Sequence, residues 1–176
     1  MSKSHFHEDE NDVRELQVRR KPPVVLERPR EMIVALPPMK SHVNLSRIVR
    51  AAGCFGINRV IACGNASVVA NIARDASESV TVEIHRTLLP VLKKLQSEGR
   101  RLAALEQTEH SHCIYDYRFV RNCVLIVGNE KLGVDEEILR LVDDVVEIPV
   151  YGLPYAQNAA SSAIIGMYEY CRQFRS

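Results

Sequence analysis

Apolar residues follow two rhythms along this chain. Unbroken apolar runs stand at 32–36 (MIVAL), 102–105 (LAAL) and 123–127 (CVLIV), another follows Arg59 within 59–63 (RVIAC), and β-branched runs stand at 80–84 and 145–150. Such runs are too short for buried helices and read as strands covered on both faces. Between them the spacing becomes helical. Leu45, Ile48, Val49 and Ala52 fall at i, i+3, i+4, i+7, and so do Leu88, Val91, Leu92 and Leu95. Asn44 stands where the first of these helices wants its N-cap, and the helix ends near Gly53 to Gly56. Ser46, Arg47 and Arg50 fall off its apolar face. Pro90 occupies the first turn of the second helix, where a missing N–H costs little. Shorter helices are predicted over 66–75 and 135–142, and a closing helix over 158–174. Pro37-Pro38 is expected to end the first strand.

Strands alternating with helices predict an α/β domain, a mostly parallel sheet with helices on both faces. Ligands in such sheets bind beyond the carboxyl ends of the strands. The loop opened by Gly128 and the loop over 151–157 both lie at such ends. Residues 1–30 are polar and charged and are broken by Pro22, Pro23 and Pro29. They read as a loosely ordered arm with room for one short helix, leaving 31–176 as the folded domain.

Composition adds exclusions. A chain of 176 residues with a formal net charge of +1 has no overall basic field. The arm is asymmetric, acidic at Glu8 to Glu15 and basic from Arg19 to Arg30, so a local basic surface remains available. The five cysteines are odd in number and include no CxxC pair, which fits a reduced, cytoplasmic protein with cysteines as small buried hydrophobes. No apolar stretch reaches membrane-spanning length, and no secretory h-region is present.

Three groups of residues offer chemistry. Gly128-Asn129-Glu130 with Gly133 follows a buried strand, where glycine lets a ligand approach the backbone. Ile148-Pro149-Val150 and Gly152 lead to Asn158 and to the small-residue run at 159–163, which lets a helix approach another backbone closely. Asn44 and Arg50 form the third group, and arginine's planar fork suits a phosphate. Taken singly, each has an ordinary explanation: a glycine turn, a helix cap, a solvated charge. No GxGxxG, Walker, GxSxG or HExxH pattern occurs. His110 and His112 lack a third and fourth ligand, so no metal is expected and a polar loop is.

Taken in order, the three groups resemble the SpoU/TrmH family of S-adenosylmethionine-dependent RNA ribose methyltransferases, within the SPOUT superfamily. The resemblance rests on NLSRIVRAAGCFGINRVIACG at 44–64, LIVGNEKLGVDEEIL at 125–139 and VEIPVYGLPYAQNAASSAIIGMYEY at 146–170. It implies a C-terminal trefoil knot, with S-adenosyl-L-methionine held in the knot by Val127, Gly128, Ile148, Gln157 and Asn158. It implies a homodimer with the active site beside the subunit interface. The reaction implied is methylation of a ribose 2′-hydroxyl in RNA, leaning to tRNA over rRNA. Arg50 is then the catalytic arginine, and Asn44, Glu130 and Asn158 orient substrate, arginine or loops. RNA would be held by the dimer surface, the basic arm and Arg47.

The chain departs from the family pattern at several positions. Ala156 and Ala160 stand where the third motif carries serines, Ser46 replaces the glycine of the first motif, and Ala51 replaces its threonine. These departures motivate an alternative reading: a knotted RNA-binding or assembly protein with weakened catalysis.

Overall fold

The computed structural model describes residues 21–175. Among these, strands β1 (Ile33–Pro38), β2 (Arg59–Cys63), β3 (Thr81–His85), β4 (Leu102–Leu105), β5 (His112–Cys113), β6 (Val124–Val127) and β7 (Asp144–Glu147) form one sheet. Its order is β3-β2-β1-β6-β4-β7-β5, and each neighbouring pair is parallel. The helices are α1 (His42–Cys54), α2 (Ala70–Ala73), α3 (Ala76–Ser79), α4 (Leu89–Ser97), α5 (Glu136–Leu139) and α6 (Ala159–Gln173).

The unbroken apolar runs are explained by burial on both faces. Val34 and Leu36 of β1 join Leu45, Ile48 and Val49 of α1 and Ala163 and Met167 of α6 in one core. Ile33 and Ala35, on the opposite face, join Leu92 and Leu95 of α4 and Ile138 of α5 in a second core. Strand side chains alternate between faces, so both sets must be apolar. The small-residue run does its packing within the chain: Ala160 and Ala163 are buried, and α6 lies against α1. Gly166 continues that contact onto the sheet, where a Cβ would stand 3.0 Å from the side chains of Leu105 and Leu125. Tyr170 ties the far end of α6, donating from its hydroxyl to the Arg121 carbonyl at 2.8 Å.

Several expected boundaries move. β1 runs through Pro37 and Pro38, because its register against β2 shifts between Ala35 and Pro38 and the ladder does without their missing N–H groups. Of the helix expected over 66–75 only α2 is helical; Arg74 at φ 53 ends it, and α3 follows beyond the expected span. α5 stops at Leu139, since Asp143 binds Leu102 through both its backbone N–H (3.0 Å) and its carboxylate (2.7 Å) and draws the chain into the sheet. β7 ends at Glu147, short of Val150. β5, inside the expected polar loop, escapes the pattern because it is two residues long. The cysteines are free but not uniformly buried: Cys63 and Cys123 are, while Cys54 is exposed. Most of the expected arm, residues 1–20 with any helix there, lies outside the described residues. No described helix is long and apolar enough to cross a membrane.

Candidate active site

The parallel sheet brings the carboxyl ends of β4, β6 and β7 to one edge. There a cavity of about 470 Å³ opens, lined by Leu105, Val127 and Val146 from the strands, by the loops that follow them, and by Ala159 and Ser162 of α6. Its size is that of a small-molecule site. Val127, Gly128, Ile148 and Gln157 all line it.

The loop after β6 is internally braced. The backbones of Asn129 and Gly133 exchange two hydrogen bonds, at 2.8 and 3.0 Å, with Gly133 at φ +68. The Asn129 side chain accepts from the Lys131 N–H (2.9 Å) and donates to the Pro38 carbonyl (2.7 Å). Gly128 lines the cavity and also meets its own chain. A Cβ there would stand 2.5 Å from the Gly133 carbonyl carbon, so the close approach that demands glycine is made by the chain itself.

Glu130 turns from this loop toward the start of α1. Its carboxylate accepts from the Lys40 N–H, the Ser41 N–H and the Asn44 Nδ2, each at 3.2 Å. Burial opposes ionisation of this carboxyl. The N–H donors of Glu130 itself and Lys40, the Asn44 amide and the Ser41 N–H together outweigh burial, and the pKa lies below the ordinary value. Ser41, rather than Asn44, is the N-cap of α1, accepting from the Asn44 N–H. The Asn44 amide is thereby free for tertiary contacts. Its Oδ1 accepts from Asn158 Nδ2 at 3.4 Å. Asn158 caps α6, its Oδ1 accepting from the N–H groups of Ala160 and Ser161 at 2.9 and 3.3 Å. Asn44, Glu130 and Asn158 are thus one cluster, and Glu130 is also part of the cavity wall.

Arg50 is not brought to this cluster. It is exposed on α1, six residues beyond Asn44, about 9 Å further along the axis. Ser46, expected off the apolar face, is fully buried: its hydroxyl donates to the His42 carbonyl and accepts from the Val69 N–H at 2.8 Å. A serine here fastens the segment before α2 onto α1. Arg47 is exposed. Of the described basic arm residues, Arg28 pairs with Glu31 and Arg30 donates to the Phe174 carbonyl, so Arg30 braces the domain. Among the described residues no cluster of metal-ligating side chains occurs.

The cavity and the polar cluster both fall inside the residues that match a known family. The sequence profile of the SpoU rRNA Methylase family matches residues 31–168. The chain belongs to that family. It is 28% identical over 137 residues to the tRNA (guanosine(18)-2′-O)-methyltransferase of Escherichia coli K12, covering 76% of this chain but 59% of that relative's length. The tRNA (guanosine(18)-2′-O)-methyltransferase of Aquifex aeolicus is 27% identical over 165 residues, 92% of this chain and 78% of the relative. Among solved structures, the A. aeolicus TrmH/SpoU tRNA modifying enzyme superposes with a TM-score of 0.78 at 26% identity, covering 84% of this chain and 77% of that one. The SpoU methyltransferase AviRb from Streptomyces viridochromogenes, in complex with the cofactor AdoMet, superposes at 0.71 with 25% identity, covering 83% and 61%.

Within this SpoU family chain some lining residues went unremarked in the sequence. Glu106 and Thr108 follow β4 as Gly128 follows β6, and Ser162 sits in the first turns of α6. The available signal was the strand-end rule, since LAAL ends at Leu105 directly before Glu106. Ala156, at a departure from the family pattern, lines the cavity without a hydroxyl.

Proposed function

We propose that this chain is an S-adenosylmethionine-dependent methyltransferase acting on a ribose 2′-hydroxyl of RNA, with tRNA the favoured substrate class over rRNA. The observation that carries this reading is the shared wall. Glu130 belongs both to a strand-end cavity and to the Asn44–Asn158 cluster, so a bound small molecule and a polar site for a second substrate adjoin. The names of the relatives, tRNA (guanosine(18)-2′-O)-methyltransferases and a 23S rRNA (uridine(2479)-2′-O)-methyltransferase, favour the same reaction.

The residues present suit the cofactor. Val127, Val146 and Ile148 offer apolar surface for an aromatic base, and Gln107, Thr108 and Gln157 offer polar groups for hydroxyls. Gly128, Ile148 and Gln157 would hold it, with Val127 beneath and Asn158 fixing the loop. When bound, it supplies a methyl group activated by a sulfonium charge. The chain's own contribution is alignment and help in removing the hydroxyl proton. Arg50 serves there, at the hydroxyl or its neighbouring phosphate, as a fixed cation. Asn44, Glu130 and Asn158 orient substrate and loops by holding the starts of α1 and α6 together. A homodimer accommodates Arg50's outward position on α1, because a site beside the subunit interface can take Arg50 from the other protomer. The trefoil threading, the arm at 1–30 ahead of a domain at 31–176, RNA contact through Arg47 and the basic arm, and a cytoplasmic location belong to the same reading.

The alternative, a knotted RNA-binding protein with weakened catalysis, is favoured by Ala156, which leaves the cavity wall without the serine hydroxyl. Calorimetry with S-adenosylmethionine, followed by mapping of 2′-O-methyl sites in RNA from cells with and without the gene, separates them. Binding and the loss of a defined methylated site support the enzyme. Binding with no site lost supports the alternative. Absence of cofactor binding sinks the enzyme reading.

A further inference from the structure

The cavity wall carries three charged residues, of which only Glu130 is used in positioning. Lys131 is exposed at the rim, whereas Glu106 and Glu130 are part-buried in the wall, one following β4 and the other following β6. Glu130 is engaged by three donors at the N-terminal end of α1, where the positive end of the helix dipole also stabilises its charge. Glu106 is held more lightly. Its Oε2 accepts from the Val134 N–H at 2.9 Å and its Oε1 from the Gln107 N–H at 3.0 Å. A carboxylate has about four lone-pair sites, so these two bonds fix its position without exhausting it. Gly133 makes the room: a Cβ there would collide with Glu106 Oε2.

A sulfonium methyl donor and the thioether it leaves behind differ by one methyl group and one positive charge. A fixed carboxylate in the wall acts on that difference, because everything else the two ligands present is the same. We propose, resting on the reading above, that Glu106 makes the cavity prefer the sulfonium donor to its neutral thioether product. Release of the methyl group then weakens the hold on what remains, and spent ligand exchanges for fresh donor. Glu106 acts here as a specificity residue for the cofactor's charge state, in addition to latching the Gly133–Val134 backbone.

The test is the ratio of two dissociation constants, for S-adenosylhomocysteine and for S-adenosylmethionine, measured by calorimetry on the full chain. Wild type should bind the sulfonium more tightly. Glu106→Gln keeps an acceptor for the backbone and removes the charge, and it should reduce the ratio on the order of tenfold, the size expected for one charge acting across a partly solvated wall. Glu106→Asp should keep most of the preference even if both affinities fall. The proposal is overturned if wild type shows no preference, or if Glu106→Gln weakens both ligands equally, as a purely structural latch would. If wild type binds neither ligand, the cofactor reading itself fails and this inference falls with it. That outcome is distinct from binding of both with an unchanged ratio.

Discussion

Asn44 donates its side-chain amide to Glu130 at 3.2 Å across 86 residues of sequence, joining the start of α1 to the loop that follows β6. The Glu130 carboxylate serves two backbone N–H groups as well. Glu130→Gln keeps one acceptor but turns an NH₂ toward donors. Its expected cost is about 1–3 kcal/mol at pH 7, read by urea unfolding. The sign of the pH dependence follows from the direction of the shift. Glu130's folded pKa is lowered, so its contribution is present above the unfolded value of about 4.3 and is lost as pH falls through the folded value. The gap between wild type and variant should close on acidification. A gap that persists undiminished at low pH would assign the effect to shape rather than charge.

Gly128→Ala should destabilise by about 1–3 kcal/mol, because its Cβ meets backbone at 2.5 Å and the braced loop has to open. Gly152→Ala is the control. Nothing lies within 4 Å of its Cβ, and its stability should stay within about 0.5 kcal/mol of wild type. Equal unfolding midpoints for the two variants would refute the self-contact account of Gly128.

Arg50→Ala should abolish transfer of a labelled methyl group to RNA while leaving S-adenosylmethionine affinity nearly unchanged. Its exposed position predicts a stability change within about 0.5 kcal/mol. Near-normal turnover by this variant would remove Arg50 from the proposed chemistry.

Burial pushes the Cys63 thiol up to about 11 and the Cys123 thiol up to about 12, whereas Cys54 is exposed. A thiolate-directed reagent at neutral pH should therefore label Cys54 in the native protein and reach Cys63 and Cys123 after unfolding. Mass-spectrometric mapping of the labelled sites checks this. Early modification of Cys123 would show that β6 opens in the native state.

The strands of the core were legible because burial on both faces of a parallel sheet leaves an unbroken apolar run; β2 and β4 match their runs residue for residue. The inward face of α1 was equally legible from its spacing. Local pattern misplaced the cap of α1. Serine and asparagine cap helices about equally well, and Ser41 takes the position expected of Asn44, whose side chain is claimed by Glu130. Ser46 looked solvated because its neighbour, the segment before Val69, is brought over α1 by the fold.

The sequence by itself determined the α/β class, the strand ends where a ligand would bind, and the candidate residues, since each follows from side-chain periodicity or from short motifs. Only the tertiary structure decided which candidates meet. Glu130, Asn44 and Asn158 form one cluster, Arg50 stands apart from it in the same chain, and Glu106 joins the cavity wall. Those outcomes depend on hydrogen bonds between groups separated by whole strands and helices, and no local rhythm of apolar and polar positions encodes them.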